Sequence, residues 1–222
     1  MKGSEAREVA FFGRITASFT HEVKNILAII KESSGLMEDL LALTREQPFP
    51  HWERFSHRVS VIQQQVQRGV GLATRLNRFA HSTDEAIARV DLNELADQLI
   101  WLSERFARLK EVTLKLSPAE SAVPLDTSPI DLQMAVFTLM EGCWNQLPGQ
   151  SQVELRVARC EGLPCLIIAC RAEGVVFAEL KRGVEASGAL QLTSEMAVDL
   201  HGKIVDRPDE CGFSLVFSGT VQ

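Results

Sequence analysis

The chain has 222 residues, of which 45% are hydrophobic and 23% are charged, a balance that is typical of globular proteins and argues against long disorder. Its formal net charge of -6 disfavours sequence-independent binding to nucleic acid. The first residues are charged and lack the apolar core of a signal peptide, and no apolar run approaches the roughly 20 residues of a membrane span. We therefore expect a cytoplasmic protein with no membrane span and no nucleic-acid partner.

Two long stretches in residues 1–86 have the spacing of amphipathic helices, with apolar residues at steps of three and four. The first contains Phe12, Ile15, Phe19, Val23, Ile26, Ile30, Met37 and Leu41, and the second contains Phe55, Val59, Ile62, Val66, Ala73, Leu76 and Ala80. Pro48 and Pro50 end the first pattern, which predicts an antiparallel helical hairpin. Because one hairpin cannot cover both apolar stripes, we expect a homodimer that forms a four-helix bundle.

Residues 87–222 mix helical and strand-like patterns, which predicts a separate domain. Asp91 and Glu94 resemble a capping box that begins a helix, and Ser128-Pro129 begins another. A further helix is expected near 189–200, and strand-like stretches lie at 112–116, 153–158, 165–170, 203–205 and 213–217. The predicted fold class is α+β, with a helical hairpin over residues 1–86 and a small α/β sandwich over residues 87–222.

The cysteines do not have the spacing of a metal site. There are five, Cys143, Cys160, Cys165, Cys170 and Cys211, with no Cys-x-x-Cys pair and no histidine at zinc-ligand spacing from a cysteine pair. The offset of five between the middle three places neighbours on opposite faces of a strand. We expect reduced, partly buried thiols and no bound metal.

His21 lies about 200° round the first helix from Phe19, the centre of the apolar stripe, and therefore on its outer face. A solvated surface histidine is the plain alternative, but an imidazole with a pKa near ~6.5 can act as a neutral nucleophile at cellular pH. Glu22 can accept a hydrogen bond from the other ring nitrogen and fix the tautomer. Asn25, one turn onward, can orient water against a phosphoryl group on His21. These three are the candidate catalytic residues.

The segment SFTHEVKNIL, residues 18–27, resembles the H-box of two-component sensor histidine kinases, particularly of the nitrogen-regulation type. That family has an acidic residue after the phosphoacceptor histidine, then a hydrophobic residue, a basic residue and Asn or Thr. Glu22 and Asn25 match this pattern, while Ile26 stands where proline is common. The resemblance implies that His21 is the phosphoacceptor in a dimerisation and phosphoacceptor hairpin.

The order of elements after the hairpin resembles the family's ATP-binding domain, but the motif residues differ. Thr138 and Gly142 stand where the family carries asparagines, the second of which holds Mg²⁺. Cys170 stands where an aspartate reads the adenine amine, Ala172 replaces a glycine, and Gly174 survives. These losses remove a ligand of the metal and the partner of a buried adenine donor.

The glycine run that cradles the phosphates in this family is also reduced, with Gly188 as its remaining glycine. The stretch between Gly174 and Gly188 is short for the family's mobile lid, and side chains at glycine positions obstruct the close backbone approach of a triphosphate. The resemblance therefore implies a degenerate ATPase-like domain that binds no cofactor of its own. Mg²⁺ is expected only from the partner response regulator.

We expect a histidine phosphotransferase of a phosphorelay, a phosphoprotein that exchanges a phosphoryl group between His21 and response-regulator aspartates. The receiver domain of the regulator would dock between His21 and the turn at Pro48–Pro50. Two alternatives remain open from the sequence. One is an ATP-dependent sensor histidine kinase, and the other is a non-catalytic module that docks on a regulator.

Overall fold

The computed structural model describes residues 2–42 and 51–218. These residues divide into two compact units, one formed by Val9–His81 and one formed mainly by residues from Ser82 onward. The sequence placed the boundary after residue 86, slightly later than this division. In the described ranges, none of the helices combines the length and the apolar character that crossing a bilayer requires.

The first unit is a hairpin of two long helices, as the sequence predicts. Helix α1 spans Lys2–Ala42 and helix α2 spans Trp52–Ala80. Neither segment contains proline, and the apolar steps of three and four give each helix one face to bury. The turn that contains Pro48 and Pro50 lies outside the described residues. The helical hairpin is confirmed.

Phe79 is the centre of the aromatic packing that joins the two helices. Its side chain is 1% exposed, and its ring centroid lies 5.7 Å from that of Phe11 and 4.6 Å from that of Phe12. The other buried side chains in the described part of the hairpin are Phe11, Ile15, Ser18, Ile26, Ser33 and Leu72. Leu41 and Val66, which belong to the predicted stripes, remain 53% and 47% exposed in this single chain.

We expect Phe79→Ala to lower the free energy of unfolding of the hairpin by about 3–5 kcal/mol, because it removes buried ring contacts and leaves a cavity. Trp52→Ala is the matched control, since Trp52 is 65% exposed and should change stability by less than about 0.5 kcal/mol. Denaturant unfolding followed by helical circular dichroism at one protein concentration measures both. Equal losses in the two variants would contradict this packing.

The second unit contains seven strands and four helices within the described residues. Its helices are α3 (Leu92–Arg108), α4 (Pro129–Trp144), α5 (Phe177–Ala186) and α6 (Ala189–Asp199). Its strands are β1 (Ala88–Asp91), β2 (Thr113–Ser117), β3 (Pro124–Thr127), β4 (Gln152–Cys160), β5 (Leu163–Arg171), β6 (Gly202–Arg207) and β7 (Gly212–Phe217). The α+β fold class is confirmed.

The strands form one large and one small sheet. The large sheet has the order β2-β4-β5-β7-β6, with β2 and β4 parallel and the other pairs antiparallel. The small sheet pairs β1 with β3 in antiparallel fashion. The sequence predicted neither strand of the small sheet, nor helix α5.

Both predicted helix starts are observed. The Asp91 side chain accepts a hydrogen bond from the backbone N–H of Asn93 and begins α3. Ser128 Oγ accepts from the backbone N–H of Asp131, and Pro129 occupies the first turn of α4. Within the described part of the chain Glu94 makes no return bond, so the reciprocal half of the predicted capping box is not formed.

Glu154 on β4 is a buried carboxylate, with a side chain only 5% exposed. The hydroxyl of Ser117 donates to its Oε1 over 2.5 Å. Three cations lie near the same carboxylate, Lys115 at 3.9 Å, Arg156 at 3.7 Å and Arg171 at 3.3 Å. The hydrogen bond, followed by these cations, lowers the pKa of the Glu154 carboxyl below its ordinary value of 4.5, against the opposing effect of burial.

This pKa direction predicts an acid-dependent contribution to stability. A lowered folded-state pKa means that Glu154 stabilises the fold above its unfolded-state pKa and that this contribution disappears as the pH falls through the folded-state value. Glu154→Gln should therefore be destabilising at neutral pH, and its difference from the wild type should shrink below about pH 4. Denaturant unfolding of both proteins between neutral pH and about pH 4 tests this prediction. A difference in the free energy of unfolding that does not change with pH would contradict the lowered pKa of Glu154.

Candidate functional site

His21 lies in the middle of α1 with its side chain exposed. Its Nδ1 lies 3.2 Å from Nδ2 of Asn25, one turn along the same helix. No residue in the described ranges forms a hydrogen bond with Nε2, so that nitrogen is open to an approaching molecule. The predicted exposure of His21 on the outer face of the hairpin matches the structure.

Glu22 is paired across the hairpin rather than with the imidazole. Its Oε2 accepts a hydrogen bond from Arg68 of α2 at 2.8 Å, and its side chain is only 14% exposed. The expectation that Glu22 lies against a ring nitrogen of His21 therefore differs from the observed geometry. Asn25 is the neighbour that contacts the ring, so two of the three candidate residues are brought together directly.

Sequence reasoning missed Arg68 as the partner of Glu22. The two residues are 46 positions apart, and no local spacing connects them. The signal that could have found Arg68 is the antiparallel register of the hairpin. Phe11 packs on Phe79, and the same register places Arg68 opposite Glu22.

A groove lies on the same unit, towards the end of α1 and the start of α2. It has a volume of about 370 Å³ and is lined by Leu36, Asp39, Leu40, Arg54, His57 and Arg58. Apolar side chains from α1 thus face two arginines and a histidine from α2. The groove lies within the part of the hairpin that the sequence analysis assigned to regulator docking.

Gly142 stands where histidine kinases carry the second asparagine of their ATP-binding domain. Neighbouring helices fill the space beside it. A Cβ added at Gly142 would lie 2.7 Å from Cβ of Ala189 and 3.1 Å from Cγ1 of Val184. A Cβ at Gly183 would likewise collide with the side chain of Gln146. Helices α5 and α6 therefore pack against α4 and occupy the space that a side chain at position 142 would need.

Cys170 stands at the adenine-reading position and is 4% exposed. Its hydrogen bond with Cys143 of α4, together with burial, raises the pKa of the Cys143 thiol well above its ordinary value. Cys170 therefore has a neutral thiol, that of Cys143, as its neighbour in the core. Cys160, Cys165 and Cys211 also carry free thiols. Within the described ranges, no group of three or more His, Cys, Asp or Glu side chains is arranged to hold a metal ion.

Gly174 and Gly188 keep the backbone conformations for which glycine is suited. Their φ angles are +73° and +78°, in the left-handed region. Gly188 precedes the first residue of α6 and Gly174 lies in the turn before α5. These two glycines, which match glycines of the histidine kinase motifs, therefore form turns in this chain.

Several solved structures resemble the chain. No protein-family model and no curated protein matches it. The catalytic domain of histidine kinase ThkA has a TM-score of 0.51 and 14% identity, over 62% of this chain and 100% of that one. The Acinetobacter baumannii histidine kinase AdeS has a TM-score of 0.47 and 12% identity, over 90% of this chain and 98% of that one.

A third match is ThkA in complex with the response regulator protein TrrA, with a TM-score of 0.45 and 15% identity, over 94% of this chain and 61% of that one. At these identities the likeness concerns the fold. The match to the ThkA catalytic domain shows a histidine kinase-like fold over the 62% of the chain that it covers. The α/β region has the architecture of histidine kinase ATP-binding domains.

The close packing at Gly142 can be tested with two glycine-to-alanine substitutions. Gly142→Ala should lower the free energy of unfolding by about 1–3 kcal/mol, because the added methyl group overpacks the contact between α4 and α6. Gly71→Ala on α2 is the control, since no atom lies within 4 Å of the added Cβ and alanine favours helix by up to about 1 kcal/mol. Denaturant unfolding of both variants decides it. A stabilising Gly142→Ala would show that the space beside this position is open.

Proposed function

We propose that the chain carries a phosphoryl group on His21 and exchanges it with the aspartate of a response-regulator receiver domain, without using ATP itself. The histidine kinase-like fold supports a role in two-component signalling. The observation that carries the finer proposal is the exposed position of the imidazole. Nδ1 has a polar neighbour in Asn25 at 3.2 Å, and Nε2 is open on the outer face of the hairpin.

The residues at the nucleotide positions do not fit Mg-ATP. Gly142 supplies no oxygen ligand, and Val184 and Ala189 occupy the space in which such a ligand would extend. Cys170 is a buried thiol beside Cys143, where the adenine amine would need a charged or amide oxygen. The proposed reaction therefore involves no nucleotide bound to this chain. The proposed enzyme is a histidine phosphotransferase whose Mg²⁺ comes with the regulator.

A homodimer through the hairpin is part of the proposal. Leu27, Leu41, Val66 and Val70 are each about half exposed in the single chain, at 58%, 53%, 47% and 58%. They are apolar residues on helices that already bury one face against each other. A second hairpin would cover them and complete a four-helix bundle, which removes apolar surface from water.

The receiver domain is proposed to dock in the groove near the end of α1. Leu36 and Leu40 offer apolar contact, and Arg54 and Arg58 offer cations that can pair with acidic side chains of a partner. His21 lies on the same helix as the two leucines, fifteen residues or about 22 Å before Leu36 at a rise of 1.5 Å per residue. That length suits a domain that contacts the groove and the imidazole together.

The test is phosphoryl uptake from a receiver domain phosphorylated on its aspartate. The wild type should gain acid-labile, base-stable label, and His21→Gln should reduce that label to background while keeping its helical signal, because the exposed ring contributes little packing. His201→Gln, another exposed histidine, should keep the wild-type label.

Two further arms separate the alternatives. Incubation with Mg-ATP and no regulator should give no label, and label on His21 under this condition would restore the histidine kinase interpretation. Binding of the receiver domain without any label on the wild type would favour a docking module that carries no phosphate.

A further inference from the structure

The two polar neighbours of His21, Glu22 and Asn25, have different hydrogen-bond partners. Asn25 Nδ2 lies 3.2 Å from Nδ1 of the ring. The carboxylate of Glu22 accepts a hydrogen bond from Arg68 at 2.8 Å and is 14% exposed. The residue whose charge could control the ring is thus engaged across the hairpin, and an amide occupies the position beside Nδ1.

Helix geometry explains this arrangement. Residue i+4 lies only about 40° round an α-helix from residue i, one turn above it, whereas residue i+1 lies about 100° away. Asn25 is therefore stacked over His21, while Glu22 points towards the side of α1 that faces α2. The contact between Asn25 and the ring follows from spacing within one helix and needs no other part of the chain.

We propose that Asn25, rather than Glu22, selects the ring tautomer of His21 through its contact with Nδ1, and that Nε2 accepts the phosphoryl group when Asn25 presents Oδ1 instead of Nδ2 to Nδ1. The identity of the transferred group rests on the proposed function, whereas control of the tautomer belongs to the unmodified protein. Asn25 is in this sense a positioning residue, because it acts through the imidazole and not on phosphorus.

The planar amide of Asn25 can present Nδ2 or Oδ1 to the ring by a half-turn about χ2. With Nδ2 against Nδ1, the arrangement in the structure, the amide N–H can donate to the ring only when the ring proton is on Nε2. With Oδ1 in that place, Nδ1–H donates to the oxygen and Nε2 has a free lone pair. The two orientations of Asn25 correspond to a resting and a receptive imidazole.

The receptive form accounts for the transfer step. The Nε2 lone pair attacks the phosphorus of the aspartyl phosphate, and the N–P bond forms as the P–O bond to the aspartate breaks. The electron pair of that bond leaves with the carboxylate oxygen, and the ring keeps its Nδ1 proton and becomes positively charged. Because the acceptor Oδ1 then faces a cationic donor, its hydrogen bond strengthens as the reaction proceeds.

The first experiment reads the tautomer of His21 in the unphosphorylated full chain by ¹⁵N nuclear magnetic resonance of labelled histidine. Asn25→Leu removes the hydrogen bond at nearly constant shape and should move the Nδ1 resonance. Asn25→Asp offers only acceptors and should shift the tautomer ratio towards Nδ1–H by roughly two- to tenfold relative to Asn25→Leu, the range expected for one exposed hydrogen bond.

Asn77→Leu is the matched control, because Asn77 is an exposed asparagine on α2 and its loss should leave both ring resonances unchanged. Glu22→Gln should leave the tautomer ratio unchanged as well. A shift of that ratio in Glu22→Gln, or an unmoved Nδ1 resonance in Asn25→Leu, overturns the proposal. Circular dichroism checks that each variant keeps its helical signal.

The second experiment measures the initial rate of label uptake from a phosphorylated receiver domain. Asn25→Leu should slow uptake by roughly tenfold or more, the size of a lost hydrogen bond to a charged group. Uptake at the wild-type rate in this variant overturns the proposal. If the wild type takes up no label while its Nδ1 resonance still responds to Asn25→Leu, the proposed function fails and the assignment of the tautomer to Asn25 is supported.

Discussion

Burial of one face of α1 against α2 is the constraint on which the candidate site depends. Phe11, Ile15 and Ile26 are buried, and Phe11 packs on Phe79 of α2, which fixes the rotation of α1 about its own axis. With that rotation fixed, His21 and Asn25 face outward together, and Glu22 comes to the edge where Arg68 can reach it. Apolar packing that contacts neither ring nitrogen therefore decides that the imidazole faces outward and that Glu22 pairs with Arg68.

Under the proposed function, the second unit keeps its fold without the groups that would bind a nucleotide. The sandwich depends on alternating buried residues along its strands, such as Val153 and Leu155, and these are retained. A nucleotide site depends on a few polar positions. At one of them Gly142 lets α6 approach until Ala189 leaves no space for a Cβ. Replacement of buried polar partners by close apolar contact removes an unsatisfied group and need not weaken the fold.

The spacing of apolar residues predicted the long, strongly periodic helices. The capping residues Asp91 and Ser128 predicted the starts of α3 and α4. The strands β1 and β3, each four residues long, were missed because so short a stretch carries no clear alternation. Helix α5 contains Gly183, which weakens a helical pattern and lies against the side chain of Gln146. The exposed position of His21 followed from helical angle alone. The pairing of Glu22 with Arg68 could not be predicted in this way, because it depends on the register between α1 and α2.

The proposed division of roles between Glu22 and Asn25 is consistent with a histidine that accepts a phosphoryl group in a chain that binds no nucleotide. An imidazole oriented by its own helical turn needs no residue from the α/β unit to be ready for attack. A phosphoryl donor that arrives on a receiver domain brings its own leaving group and, in the proposed reaction, its own Mg²⁺. Selection on Gly142 or Cys170 as ligands is then relaxed, and these positions are free to contribute packing instead. On this account the chemistry is concentrated in one turn of α1, while the rest of the chain holds that turn in place or contributes surfaces for partners.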